Sequence, residues 1–276
     1  MPTPPPPRAA LAPLDPDRHA PTAQRPVRAK ARRLAADSEI TPHHHPWAQL
    51  AWSVSGVARI TTEHSTYLVP ASRAVWIPAG MVHAVTAVEA AELRALYVRA
   101  DAFGLDLPPW QVCRVIEVSA LLRELVLQMD IERDRGAAPA PALLARERRL
   151  GELAIDELQR AAPVRLGIEL PRDKRLRALC EAVLADPGRH DRLAGWAAEV
   201  GASPRTVARL FRQQLGTSFG PWRQQVLLAR ALTLAAQGRP MGLIASDLGY
   251  ASASAFTAMV RRSVGAPPAR FFASRP

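Results

Sequence analysis

The rhythm of hydrophobic and polar positions changes along this chain. Between about residues 40 and 100 the apolar residues come in short runs. Leu50–Val54, Val57–Thr62, Thr66–Val69, Ala74–Ile77 and Leu93–Val98 are rich in β-branched and aromatic residues, each bounded by Pro, Gly, Ser or Asp. Many short strands at this spacing predict a sandwich or small barrel. From Ser119 the spacing becomes helical: Leu121, Leu122, Leu125 and Met129 share one face. A Gly/Ala/Pro break at 136–142 precedes a second helix, from Leu143 to about Arg160, carrying Leu150, Leu153, Ile155 and Leu158. Pro163, Gly167 and Pro171 mark a linker, and everything beyond it reads as helix.

The helical C-terminal third repeats itself. Ala197-Ala198-Glu199-Val200-Gly201 recurs as Ala245-Ser246-Asp247-Leu248-Gly249, at an offset of 48 residues. Arg209-Leu210-Phe211-Arg212 and Gly216 are echoed by Ala258-Met259-Val260-Arg261 and Gly265, at an offset of 49, so the second copy has one residue more in its turn. Each copy has the order helix, Gly-containing turn, helix. Ser203-Pro204 caps and starts the second helix of copy one, and Ser252 opens its counterpart. Val207, Leu210 and Phe211 form a buried stripe, while Arg205, Ala208, Arg209 and Arg212 point elsewhere. This is the pattern of a helix-turn-helix whose second helix enters a major groove. A plain helical hairpin pair with a solvated basic face is the alternative.

Charge sharpens the division. The formal net charge is +11 with a sequence pI near 11.0. Residues 1–33 are net +5, 34–164 net −4 and 165–276 net +10. A basic module of this kind suits a polyanionic partner. The first 33 residues, Pro-, Ala- and Arg-rich and opening Pro4-Pro5-Pro6-Pro7, read as a disordered basic arm. Cys113 and Cys180 make no disulfide framework and suit a reducing compartment. No stretch has the roughly 18 apolar residues of a spanning helix, and the N-terminus lacks a secretory h-region. The expectation is a cytoplasmic protein without a membrane partner.

The segment from about Lys174 to Phe272 resembles the DNA-binding domain of AraC/XylS-type transcription regulators. Ile244-Ala245-Ser246-Asp247-Leu248-Gly249-Tyr250, Ser254-Ala255-Phe256-Thr257, Arg261-Arg262 and Gly265-Ala266-Pro267-Pro268 carry the likeness. The resemblance implies two helix-turn-helix units joined by a long helix, here about Trp222–Gln237, with recognition helices in successive major grooves. The DNA-facing residues it implies are Ser203, Arg205, Thr206, Ala208, Arg209 and Arg212 in the first unit. In the second they are Ser252, Ala253, Ser254, Ala255, Ala258, Arg261 and Arg262. Arg can pair bidentately with guanine, discriminating by about 1–3 kcal/mol. The Ala-rich second helix departs from donor-rich versions, so backbone contacts and DNA shape carry more there. Arg212, Arg261 and Arg262 suit phosphates.

In the middle region His43-x-His45-x3-Gln49-x6-Gly56, followed by Pro78-x-Gly80-x2-His83, looks like the two motifs of a cupin barrel. His43 and His45 alternate onto one strand face. AraC-type regulators often carry such a barrel as their effector-sensing domain. The resemblance implies His43, His45, Gln49 and His83 as ligands of a divalent metal, though Gln49 replaces the usual carboxylate and Ala87 the usual Asn. Without a metal the same imidazoles would pack or contact a ligand, so none is required as a cofactor. Trp47, Trp52, Trp76 and Tyr97 are candidates to line an apolar pocket. His43, His45, Gln49, Trp52, Trp76 and His83 are the effector-binding candidates.

The expected fold is therefore α+β in two domains. A cupin-like β-barrel with following helices spans 34–162, its helices at about 119–162 serving dimerisation or packing. A linker spans 163–173, and an all-α domain of two helix-turn-helix units spans 174–276. The expected function is a sequence-specific DNA-binding regulator, not an enzyme, responding to a small molecule or metal. Double-stranded DNA, a second copy of the chain and RNA polymerase are its expected partners. The competing readings are a cupin metalloenzyme with a basic helical appendage, and a nucleoid-type binder without sequence preference. The missing carboxylate speaks against the first, and the Arg-bearing recognition helix against the second.

Overall fold

The computed structural model describes residues 9–14, 19–70, 73–129, 140–164, 166–190, 192–265 and 267–272. The strands are β1 (Ala9–Leu11), β2 (Val27–Leu34), β3 (Ser38–His43), β4 (Ala48–Ser55), β5 (Ala58–Thr62), β6 (Ser65–Val69), β7 (Arg73–Ile77), β8 (His83–Ala87), β9 (Ala91–Val98), β10 (Arg114–Glu117), β11 (Pro163–Val164) and β12 (Ile168–Glu169). The helices are α1 (Ala120–Gln128), α2 (Pro141–Arg160), α3 (Lys174–Ala185), α4 (Leu193–Glu199), α5 (Pro204–Leu215), α6 (Phe219–Ala236), α7 (Met241–Asp247), α8 (Ala253–Val264) and α9 (Pro268–Phe272). The chain divides into two compact units, and Glu63–Leu68 group with the second.

In the first unit β1, β3, β8 and β5 neighbour one another in that order, and a second sheet runs β11, β10, β7, β4, β9, β2. β4 is nearly buried throughout, which is why its sequence shows a continuous apolar run rather than an alternation. Trp52, Trp76, Leu50, Ile77 and Leu96 are fully buried. α1 is capped by Ser119, whose hydroxyl accepts from the Leu122 N–H and also bonds Glu157 of α2. The two helices pack together, and α2 lies on β2. Gly151 makes that approach close, because a Cβ there would stand 2.9 Å from Val27 Cβ.

β2 corrects the expected disordered arm over residues 27–33. It pairs antiparallel with β9 along its whole length, Val27 opposite Val98 through Leu34 opposite Ala91. Val27, Ala29 and Ala31 alternate with Arg28, Lys30 and Arg32. The long cationic side chains have aliphatic stems that a strand can cover, so a high charge count hid a period-two pattern. Ala9–Leu11 also form a strand, parallel to β3. Residues 1–8 and 15–18 of the same expected arm lie outside the described residues, as do 136–139 of the expected helix break at 136–142.

The second unit holds all helices from α3 onward, with β12 in the expected linker paired antiparallel to β6, Ile168 opposite Thr66. α3 starts at an Asp173 cap, whose carboxylate accepts from the Leu176 N–H. α6 is the hub: Val226, Leu227, Leu228, Ala231 and Leu232 are buried along it, and it packs on α3, α7 and α8. Phe211, Phe219 and Trp222 form an aromatic knot, with Phe211 5.6 Å from each of the other two ring centres. Among the described residues no helix is long and apolar enough to cross a membrane.

Candidate effector cavity and nucleic-acid interface

The two helix-turn-helix copies form as the repeat predicts. In the first, α4 ends at a turn where Gly201 has φ +61°, and α5 begins at Ser203, whose hydroxyl accepts from the Thr206 N–H. In the second, α7 leads to Gly249 at φ +77°, and Ser252 accepts from the Ala255 N–H at the start of α8. Both second helices end at left-handed glycines, Gly216 and Gly265.

On α5, Val207, Phe211 and Leu215 face inward. Ser203, Arg205, Thr206, Ala208, Arg209 and Arg212 line one open concavity on the opposite side. Arg205, Arg209 and Arg212 are exposed, and Arg209 reaches along the helix to donate to Gln213 Oε1 at 3.2 Å. On α8, Phe256, Met259 and Val260 are buried, whereas Ser252, Ser254, Ala255, Arg261 and Arg262 are exposed and Ala258 is half-buried. Every expected DNA-facing residue therefore stands on the accessible side of a capped helix.

In the first unit, His43, His45 and His83 converge, with ligating nitrogens all within 4.8 Å of one another. β3 ends at His43, so His45 is not its strand-face neighbour as expected; it lies just beyond, before β4. The three rings still meet, because β3 pairs with β8 through a register shift that sets His43 opposite His83. Each ring is anchored the same way. His43 Nδ1 lies 2.8 Å from the Thr41 carbonyl, His45 Nδ1 2.7 Å from that of Trp47, and His83 Nδ1 2.9 Å from that of Met81. Nδ1–H donates in each, leaving Nε2 with its lone pair.

Burial holds all three rings neutral. Desolvation lowers the pKa of His43 and His45, and pushes His83 down to about 4, with neighbouring imidazoles adding to the effect and the Met81 carbonyl opposing it. His83 Nε2 is buried without a hydrogen-bond partner. Gln49 Oε1 lies 2.9 Å from His45 Nε2. Two lone pairs facing at that distance need a cation between them or a turned amide.

Beside this cluster a small apolar cavity of about 50 Å³ lies in the barrel, bounded by His43, Gln49 and Tyr97 and by Ile40, Ile60 and Val85. It has room for a few waters or a compact molecule, well under the few hundred Å³ of a drug-sized site. Trp52 also lines it. Trp76 does not: it is fully buried, its indole donates to the Trp110 carbonyl at 2.8 Å, and its ring meets Trp110 edge-on. Trp47 stacks on His45, their ring centres 4.9 Å apart. Lys30 and Arg32 of β2 line the cavity too. Sequence reasoning missed both by assigning β2 to a tail; the alternation from Val27 to Leu34 was the available signal.

Comparison with known proteins agrees with this layout. A helix-turn-helix domain family matches residues 196–274, and an AraC-like ligand binding domain family matches 29–162. The chain is 31% identical over 267 residues to the HTH-type transcriptional regulator NimR of Escherichia coli (strain K12), covering 96% of this chain and 93% of that protein. It is 32% identical over 118 residues to the arabinose operon regulatory protein of Salmonella typhimurium (strain LT2), 41% of each chain. Among solved structures it is similar to ToxT from Vibrio cholerae O395, with 14% identity, a TM-score of 0.37, and coverage of 90% of this chain and 97% of that one.

Proposed function

Since this chain belongs to the AraC-type transcription regulators, with a ligand-binding N-terminal domain and a helix-turn-helix DNA-binding domain, we propose that Arg205 and Arg209 of α5 supply its base readout. The observation that carries this is the single exposed face of α5, where a Ser-capped helix with a buried opposite side presents both arginines with Thr206. The polyalanine character of the α8 surface leaves less to donate there, so Ser254, Ala255 and Ala258 fit the groove by shape and methyl contact. Arg212, Arg261 and Arg262 hold phosphates.

A homodimer through α1 and α2 is the second part of the proposal. Leu121, Leu143 and Leu153 remain exposed on these helices at 51%, 37% and 51%, which supports an apolar partner surface. In such a dimer an effector would act by biasing how two DNA-binding units are presented, with RNA polymerase the partner downstream.

The barrel would be the sensor, with His43, His45, Gln49, His83 and Trp52 its contacts. The donor set fits a divalent metal. Three neutral imidazoles are oriented by carbonyl partners, as metal-bound imidazoles usually are, one Nε2 is a buried orphan, and an amide oxygen faces another. His43, His45 and His83 would hold the ion, with Gln49 as oxygen donor. A bound ion would supply a Lewis-acidic centre tying β3 and β8 to the start of β4. Elemental analysis of untagged protein purified without chelator checks it: near-stoichiometric metal, lost in His83→Ala, supports the site, and sub-stoichiometric metal counts against it. Titrations on a selected duplex and its scrambled counterpart test the regulator reading. Tight binding to the first alone is expected; equal binding to both contradicts it.

A further inference from the structure

The three arginines on the open face of α5 are not equivalent. Arg205, Arg209 and Arg212 line one concavity together with Gln213, and no Asp or Glu shares it. Arg205 and Arg212 have no side-chain partner among the described residues. Arg209 is held: its Nη1–H donates to Gln213 Oε1 at 3.2 Å. The two stand at i and i+4, where helix side chains meet one turn apart. Phe211 and Leu215 bury the opposite side of the same turns, so both partners stand on a fixed support.

Chemistry sets the orientation of that bond. A guanidinium carries donors only, so the Gln213 amide turns its oxygen toward Arg209 and its NH2 away. With one Nη1–H spent, Nε–H and the Nη2–H beside it still form a parallel fork, the shape that matches guanine O6 and N7. In this pose Gln213 does not read adenine, because that contact needs the same amide oxygen to accept from adenine N6. The Thr206 hydroxyl is engaged with that of Ser203 at 2.9 Å within the helix cap, which leaves Arg205 and Arg209 as the strong donors of the first two turns.

We infer that Gln213 is a positioning residue for base readout: it holds the Arg209 fork ready for a guanine and so decides how sharply that base is chosen. This rests on the reading of Arg209 as a base reader. An unheld arginine gives up its rotamer freedom when it binds, and one already held by its neighbour gives up less. The difference is roughly two- to tenfold in affinity. Other bases offer the fork no matching pair of acceptors, so the gain falls on the guanine-bearing duplex and is read as discrimination.

The test uses the full-length protein and two duplexes, one selected from a randomised library and one with each guanine of the α5 box replaced by adenine. The ratio of the two affinities is the readout. Gln213→Ala lowers the ratio by about two- to tenfold, with the loss on the selected duplex and the salt slope unmoved. Added to Arg209→Ala, it lowers the ratio no further, because a positioning residue acts only through its arginine. Gln213→Glu keeps the ratio, since a carboxylate accepts the same bond, while both duplexes weaken through repulsion of their phosphates. Gln213 is exposed and Ala is a strong helix former, so the variants keep the native circular dichroism. An unchanged ratio in Gln213→Ala overturns the proposal. So does an equal loss with and without Arg209, which makes Gln213 a reader in its own right, and so does an equal loss on both duplexes, which makes it a phosphate contact. Arg209→Ala separates the two levels. If it lowers the ratio and Gln213→Ala does not, only the positioning role falls; if it leaves the ratio unchanged, the base-readout reading falls and the positioning role with it.

Discussion

At the scale of single residues, the arginines proposed to face DNA divide by what they can discriminate. Arg209 projects from a face that also carries Arg205 and Thr206, whereas Arg262 sits in the last turn of α8. Arg209→Ala is expected to cost about 1–3 kcal/mol on the preferred duplex and much less on a scrambled one. Arg262→Ala should weaken both duplexes alike and lower the salt slope by roughly one. Equal losses on both duplexes for Arg209→Ala would remove it from base readout. The buried imidazoles make a different prediction. His83 titrates near 6.5 when unfolded and at about 4 when folded. Between those values the unfolded chain holds a proton that the folded barrel refuses. Stability is thus fully present above about pH 6.5 and falls as pH drops toward 4, by about 3 kcal/mol in all for this group. Thermal melts of metal-stripped protein across that window should be steeper for the native chain than for His83→Gln; identical slopes would contradict the assignment.

Elements explain which parts of this fold could be read from sequence. The helix-turn-helix copies were legible because every local requirement is local in sequence: a Ser cap, a left-handed glycine, a stripe at helical spacing. Ser203→Ala should therefore cost about 1 kcal/mol of stability in the helical unit, seen as a lowered denaturation midpoint. Gly56, read from the cupin-like motif, has φ +68°, and a Cβ there would lie 2.1 Å from the Ala90 carbonyl oxygen. Gly56→Ala should cost about 1–2 kcal/mol from the backbone conformation alone and more from the clash; an unchanged melting temperature would refute that. β2 was not legible in this way. Its strand state is decided by a partner, β9, some sixty residues on, and its surface by cations that look like a solvated tail. β3 and β8 were hidden for a related reason: the histidines within them drew a chemical reading, while their pairing with each other depends on a register shift no local pattern announces. The convergence of His43, His45 and His83 was implied by the resemblance to a cupin barrel, but the cavity's cationic wall was not.

For the whole molecule, the basic C-terminal third and the mildly acidic middle correspond to units with separate tasks. One carries duplicated, capped recognition helices with exposed arginines; the other encloses a cavity beside an imidazole cluster. For the homodimer proposed through the exposed leucines of α1 and α2, Leu121→Glu combined with Leu153→Glu should shift sedimentation from dimer toward monomer while leaving each unit folded; an unchanged sedimentation profile would reject it. The central claim is that paired helices read a defined nucleotide order. Selection of bound duplexes from a randomised library by the full-length protein tests it most directly. The account predicts an enriched motif with two boxes about one helical turn apart, the box read by α5 richer in guanine and degraded in Arg209→Ala. A recovered pool with no enrichment over input, or a motif indifferent to Arg205 and Arg209, would contradict it.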